Sequence, residues 1–217
     1  MRTIAVVSRK GGAGKTTIAT ALAVEAERQG HGPVAVLDTD PQGGLAGWWN
    51  AREATTPVFV EAVGDLRQTL AALAAQGFTI ALIDTPPQVS TAISAVIDVA
   101  DLALVPVRPS PNDLRAVAAT VDLVERSSRR LIFVINAVKP RVKLTAEAAI
   151  ALSQHGMVAP VYVADRADYA GAMTDGRTAP ELEPAGKAAT EIAALWSYIA
   201  VKTGIEARHD QQTPNAA

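Results

Sequence analysis

Residues 8–17 read Ser8-Arg9-Lys10-Gly11-Gly12-Ala13-Gly14-Lys15-Thr16-Thr17, between the apolar run Ile4-Ala5-Val6-Val7 and an alanine-rich segment from Ile18 to Val24. This order of residue types predicts strand, glycine-rich turn, helix. Glycines let the backbone bend tightly and aim its N–H groups inward, and a helix N-terminus adds positive potential; together they cradle phosphate. In such a loop the nucleotide-binding set is Gly11, Gly12, Ala13, Gly14, Lys15, Thr16 and Thr17. Lys15 reaches the β- and γ-phosphates and the Thr16 hydroxyl ligates Mg²⁺. The general pattern G-x-x-x-x-G-K-[ST] departs at its first position, where Arg9 stands, and Lys10 precedes the double glycine instead.

Composition narrows the setting. A chain of 217 residues suits one α/β domain. With 49% apolar but only 4% aromatic residues, its core is built from Ala, Val, Leu and Ile, as in sheets covered by helices. The absence of cysteine excludes disulfides, thiolate catalysis and cysteine-held metals. No run is long enough to span a bilayer and no signal-peptide core opens the chain, so a cytoplasmic protein without membrane attachment is expected. A net charge of −2 gives no global argument for nucleic-acid binding, so any such surface must be local.

Beyond the loop, apolar runs predict strands at 3–7, 34–37, 58–60, 79–83, 101–107, 131–135 and 158–163, with Pro160 holding the last to an edge. Helices are expected at 16–29, 45–53, 66–76, 89–99, 113–126, 144–155 and 184–203, and a disordered tail at 206–217. The second strand delivers Asp38-Thr39-Asp40-Pro41-Gln42-Gly43-Gly44 at its carboxyl end, where open α/β sheets bind ligand. Two carboxylates at that spacing repel unless a cation lies near, which a metal-bound triphosphate supplies; a side-chain-capped turn is the alternative. The strand at 79–83 ends in Asp84-Thr85-Pro86-Pro87, a Walker B arrangement whose acid, Asp84, holds Mg²⁺ through water. The strand at 131–135 ends in Asn136, whose amide offers a donor and an acceptor to a base, or serves a turn. Trp48 and Trp49, adjacent on a helix, cannot both face one core. Between 126 and 143 stand Arg126, Arg129, Arg130, Lys139, Arg141 and Lys143 without an acid, either a solvated face or a DNA-backbone surface.

The segment Lys10 to Thr16 resembles the deviant Walker A motif, K-G-G-x-G-K-T, of the ParA/MinD family of P-loop ATPases. Asp38 to Gly43 resembles that family's D-x-D-P-Q-G motif, and Asp84-Thr85-Pro86-Pro87 its switch II. Residues 100–114 are similar to a stretch of small ParA proteins, and 166–176 to the family's R-x-x-Y-x-x-A-x-x-x-G segment. Gln88 stands where relatives have glycine, and Gly47 where they have a polar residue before a tryptophan.

The resemblance implies an α/β P-loop NTPase with a mostly parallel sheet covered on both faces, one domain over 1–205. It implies slow, Mg²⁺-dependent hydrolysis of ATP to ADP and phosphate, stimulated by a partner. Lys10, Lys15 and Asp40 are the implied catalytic residues: Lys10 reaches across a nucleotide-sandwich homodimer and Asp40 positions the attacking water. Thr16, Asp38 and Asp84 surround the metal, and Asn136 contacts adenine. Arg166 and Arg177 lie in a segment that several relatives turn toward DNA.

The chain opens at its first strand without a helix-turn-helix domain, as small plasmid-partition ParA proteins do. The expected function is therefore segregation of plasmid or chromosomal DNA by an ATP dimer. That dimer would bind DNA non-specifically on the nucleoid and answer to a ParB-like centromere-binding adaptor. The alternatives are a ParA-like positioner of a chemoreceptor cluster or protein compartment, a MinD-like division regulator, and a small-molecule ligase such as dethiobiotin synthetase. The terminal residues are too polar for the membrane helix of the MinD type, and the absence of cysteine excludes the nitrogenase iron-protein branch.

Overall fold

Seven strands in the order β3-β2-β4-β1-β5-β6-β7 form one sheet, and every pairing is parallel. In this computed structural model residues 1–87, 91–140 and 143–207 are described. Gln88, Arg141 and tail residues 208–217 lie outside them.

The chain alternates strand and helix: β1 (Arg2–Val6), α1 (Lys15–Arg28), β2 (Val34–Asp38), α2 (Gly44–Ala51), β3 (Val58–Glu61), α3 (Leu66–Ala75), β4 (Ile80–Asp84) and α4 (Thr91–Val99). It continues with β5 (Leu102–Val107), α5 (Pro111–Arg126), β6 (Arg130–Ile135), α6 (Leu144–Ser153) and β7 (Met157–Val158). Two short helices, α7 (Ala167–Ala172) and α8 (Ala179–Leu182), flank a 3-10 turn at Met173–Asp175 and precede α9 (Lys187–Thr203).

Period-two alternation sorts the core onto two faces. On one face Ile4, Val6, Val36, Leu82, Leu104, Ile132 and Val134 pack against the alanine-rich side of α1 and against Ile192, Leu195, Trp196 and Ile199 of α9. On the other, Ala5, Ala35, Ala81 and Ala103 share the surface with Leu37, Ile83, Val105, Phe133 and Ile135 beneath α3 to α6. Burial on both faces explains why the strands read as apolar runs rather than as alternating ones.

Local chemistry sets the boundaries. Asp65 caps α3 by accepting from Arg67 N at 2.9 Å. Ser110 caps α5 with Pro111 in its first turn, so that helix starts two residues before the expected 113. The strand expected over 158–163 is two residues long, Met157–Val158. Pro160 has no N–H to donate, and backbone bonds to β6 resume only on either side of it, at Ala159 and Val163. The helices α7 and α8 were not expected. α8 is closed by a capping box, with Glu181 accepting from Thr178 N at 2.8 Å.

Candidate functional site

All the ligand-binding segments read from sequence emerge at the carboxyl edge of the sheet. Between β1 and α1 the loop turns through Gly12 and Gly14, with φ of 73° and 93°. Gly14 could carry no side chain, because a Cβ there would lie 2.2 Å from Asn136 Nδ2. That amide donates to Ala13 O at 2.8 Å, so the end of β6 braces the loop. One Nδ2 hydrogen is thus engaged by the chain itself, and the other, with Oδ1, is left for a base. The first bond into α1 runs from Ile18 N to Gly14 O. Among the described residues, the N–H groups from Gly11 to Thr17 donate to no protein acceptor, which fits a phosphate cradle.

Lys15 is buried, and its pKa is lowered by desolvation against the opposing pull of Asp84 and Asp40. Asp84, 1% exposed, accepts from the Thr16 hydroxyl at 2.5 Å and from Thr85 N at 3.0 Å. Burial pushes its pKa up to about 7; Asp38 adds to the rise, while Thr16, Lys15 and Thr85 oppose it. A buried carboxylate held by a hydroxyl beside unbonded amides suits a divalent cation carried in on a nucleotide. Among the described residues no group of three or more His, Cys, Asp or Glu forms a metal cage by itself.

Asp38 and Asp40 are both engaged in backbone turns. Asp38 accepts from Asp40 N at 2.9 Å with one oxygen, and from Leu45 N and Ala46 N, each at 3.0 Å, with the other. It is therefore the acid that caps α2. Asp40 accepts from Gln42 N at 3.0 Å through Oδ1 alone. The bonds show the capped-turn reading in both residues. Beside Asp40 lies a cleft of about 320 Å³ lined by Thr39, Pro41, Gln42, Pro86, Pro87 and Ala92. Two threonines to which sequence reasoning gave no role tie neighbouring strand ends together. Thr39 Oγ1 donates to Asp84 O at 2.6 Å, and Thr85 Oγ1 to Val6 O at 2.9 Å.

Lys10 is exposed and makes no ion pair among the described residues. The basic run from 126 to 143 divides between the two edges of the sheet, because β6 runs through its middle. Lys139 and Lys143 stay at the ligand edge, and Arg129 and Arg130 lie at the other. Arg166 is bound by Glu191, which also accepts from Tyr169 Oη at 3.0 Å and Ala164 N at 3.1 Å. The R-x-x-Y spacing thus serves to pin α7 to α9. Arg177 pairs with Asp175 on the surface.

Trp48 is 2% exposed and donates to Arg177 O at 2.9 Å, whereas Trp49 is half-buried and stacked on Phe59. Beneath Trp48, Arg52 grips Glu181 with both terminal nitrogens, at 3.0 and 2.6 Å, and reaches Gly176 O at 2.7 Å. No motif signals this pair, whose members are 129 residues apart.

Comparison with known proteins follows the same lines. Residues 4–55 match the CobQ/CobB/MinD/ParA nucleotide binding domain. The chain is 32% identical over 200 residues to the maintenance of carboxysome distribution protein A of Halothiobacillus neapolitanus, covering 87% of this chain and 91% of that one. It is 34% identical over 129 residues to Protein ParA of Rhizobium radiobacter, covering 57% and 56%. The septum site-determining protein MinD of Pyrococcus horikoshii, solved with Mg-ADP, superposes over 96% of this chain and 99% of its own, with a TM-score of 0.80. At 17% identity that likeness concerns the fold alone.

Proposed function

Because the chain belongs to the ParA/MinD family of P-loop ATPases, we propose that it hydrolyses ATP slowly as a Mg²⁺-dependent homodimer and positions an intracellular cargo over DNA. The observation that carries the reading is the pairing of an armed loop with an unpartnered lysine. Lys15, Thr16 and Asp84 are assembled within one subunit, while Lys10 projects from the same loop with no ion pair of its own among the described residues. A lysine so placed is available to a nucleotide on a second copy.

In this reading residues 1–205 act as one ATPase domain. The N–H groups of Gly11 to Thr17 hold the phosphates, and Lys15 neutralises charge on the β- and γ-phosphoryl oxygens. Thr16 and Asp84 would hold the metal, and Asp38 would support them by fixing α2 and the Asp40 turn. Mg²⁺, when bound, would offset negative charge on the phosphates. Asp40, at the mouth of the apolar cleft, orients water for in-line attack, and Asn136 Oδ1 accepts from the adenine amino group. Lys10 of each copy completes the other's site, so ATP and not ADP favours the dimer, and turnover resets it.

The cargo reading rests on relatives. A relative matched along 91% of its own length is named for carboxysome distribution, which supports a protein compartment as cargo. Segregation of plasmid or chromosomal DNA is the second reading, supported by the shorter match to Protein ParA. Both need a cytoplasmic, nucleoid-bound ATP dimer and an adaptor protein, ParB-like in the partition case.

The test is binding to arbitrary duplex DNA with ADP and with a non-hydrolysable ATP analogue across a salt series. Binding with the analogue alone, weakening steeply with salt, is expected for backbone contacts. Equal binding in both states, or none, would overturn the DNA-riding dimer.

A further inference from the structure

The loop has two flanks of opposite character. On the β2 and β4 side stand Asp38, Asp40 and Asp84, with Lys15 buried among them. Those carboxylates offset part of the positive charge of Lys15 and of a bound divalent cation, so a multiply negative polyphosphate gains from cations on the other flank. On the β5 side the acid beside the loop, Asp113, is buried and accepts from the Ser110 hydroxyl at the start of α5, and the flank also carries an arginine. Arg108 follows directly on β5, is exposed, and makes no ion pair among the described residues. Its Nη2 lies 3.9 Å from where a Cβ on Gly12 would stand, so the guanidinium overhangs the phosphate loop. Together with Lys139 it lines a cavity of about 380 Å³ that extends past Ser110 and Ala137. Asp165, the acid on that cavity, makes no bridge to Arg108.

We propose that Arg108 is a polyphosphate ligand, a cation on the β5 flank that works beside Lys10 on the phosphate chain of the nucleotide. The inference rests on the ATP site proposed above. A guanidinium suits the task because its planar fork meets two phosphoryl oxygens at once and stays charged at any working pH. The phosphates it meets belong either to its own subunit's nucleotide or to that of a second copy.

The experiment compares wild type, Arg108→Gln, Arg108→Lys and Lys15→Ala for binding of fluorescent ATP analogue, ADP and AMP with Mg²⁺, at protein concentrations below and above dimerisation. Arg108→Gln is expected to weaken the ATP analogue about tenfold, the loss of one charge-assisted bond, and AMP far less, with Arg108→Lys intermediate. A loss already present for ADP on the monomer identifies the subunit's own nucleotide. A loss confined to the analogue-bound dimer identifies the second copy's. Equal losses for AMP and ATP would place Arg108 on ribose or base and overturn the proposal, as would unchanged affinities while Lys15→Ala fails to bind. Failure of the wild type to bind ATP would instead overturn the ATPase reading itself.

Discussion

At the amino edge of the sheet, cations meet the chain. Arg129 donates to Asp98 O and Arg130 to Lys202 O, carbonyls in the last turns of α4 and α9, where helices leave acceptors unfilled. Away from the loop Arg52 is held more firmly still, its side chain only 4% exposed against Glu181. At the carboxyl edge Lys10, Arg108, Lys139 and Lys143 are exposed, and none makes an ion pair among the described residues. The same residue types thus do two kinds of work. Where helices end, guanidinium groups satisfy carbonyls and hold the fold; where helices begin, positive charge is left for an anion to use.

The sharpest way to break this comparison is to disturb the loop itself. Gly14→Ala forces a side chain into the Asn136 amide at a left-handed φ. ATP affinity measured by calorimetry should fall by more than about a hundredfold, since the displaced amides hold phosphate through several charge-assisted bonds. The engaged set should respond in stability instead. Arg52→Ala leaves the half-buried Glu181 with only its Thr178 bonds and is expected to cost about 2–3 kcal/mol in urea unfolding, as loss of charge-assisted bonds does.

The same pair makes a pH prediction. Burial alone would raise the Glu181 pKa, but Arg52 and Thr178 outweigh it and hold it below the ordinary glutamate value. The unfolded chain therefore takes up that proton first, and the pair's stabilisation, complete at neutral pH, is lost as acidity carries pH below the ordinary value toward the folded one. The melting temperature should fall more steeply with acid in the wild type than in Glu181→Gln.

Smaller effects sharpen the contrast. Asp84→Asn removes a buried charge and keeps one acceptor oxygen for Thr85 N, while the new amide N–H can donate to the Thr16 hydroxyl oxygen. The ligand-free protein should gain about 1 kcal/mol, and the rise in melting temperature on adding Mg²⁺ and ATP should disappear. Arg130→Ala, at an exposed carbonyl contact, should cost about 1 kcal/mol or less and leave nucleotide affinity unchanged. A change in affinity there would mean that the two edges are not separate.

What sequence could show followed the range of the interactions. Strand, loop and helix at 3–29 are decided by neighbours in the chain, as is the capped start of α3, and these agree with the structure. The carboxylate pair at Asp38 and Asp40 was legible as a turn at a strand end, but not the use of Asp38 as the cap of α2, which depends on where Leu45 and Ala46 return. Arg52 with Glu181, and Arg108 above Gly12, join segments far apart in the chain and leave no local signal. The final strand failed for a physical reason already present in the sequence, the missing N–H of Pro160. The basic run at 126–143 looked like one surface because spacing along the chain does not reveal that a strand carries its halves to opposite ends.

The contact between Gly14 and Asn136 has a consequence for how this chain can vary. The residue at 14 is restricted by the amide at 136, and the amide is positioned by the carbonyl next to Gly14. In a saturation library the two positions should behave epistatically. A shorter side chain at 136 would relieve the crowding at 14 yet remove the brace, so no single change from this pair would be neutral, and tolerated double changes would be few.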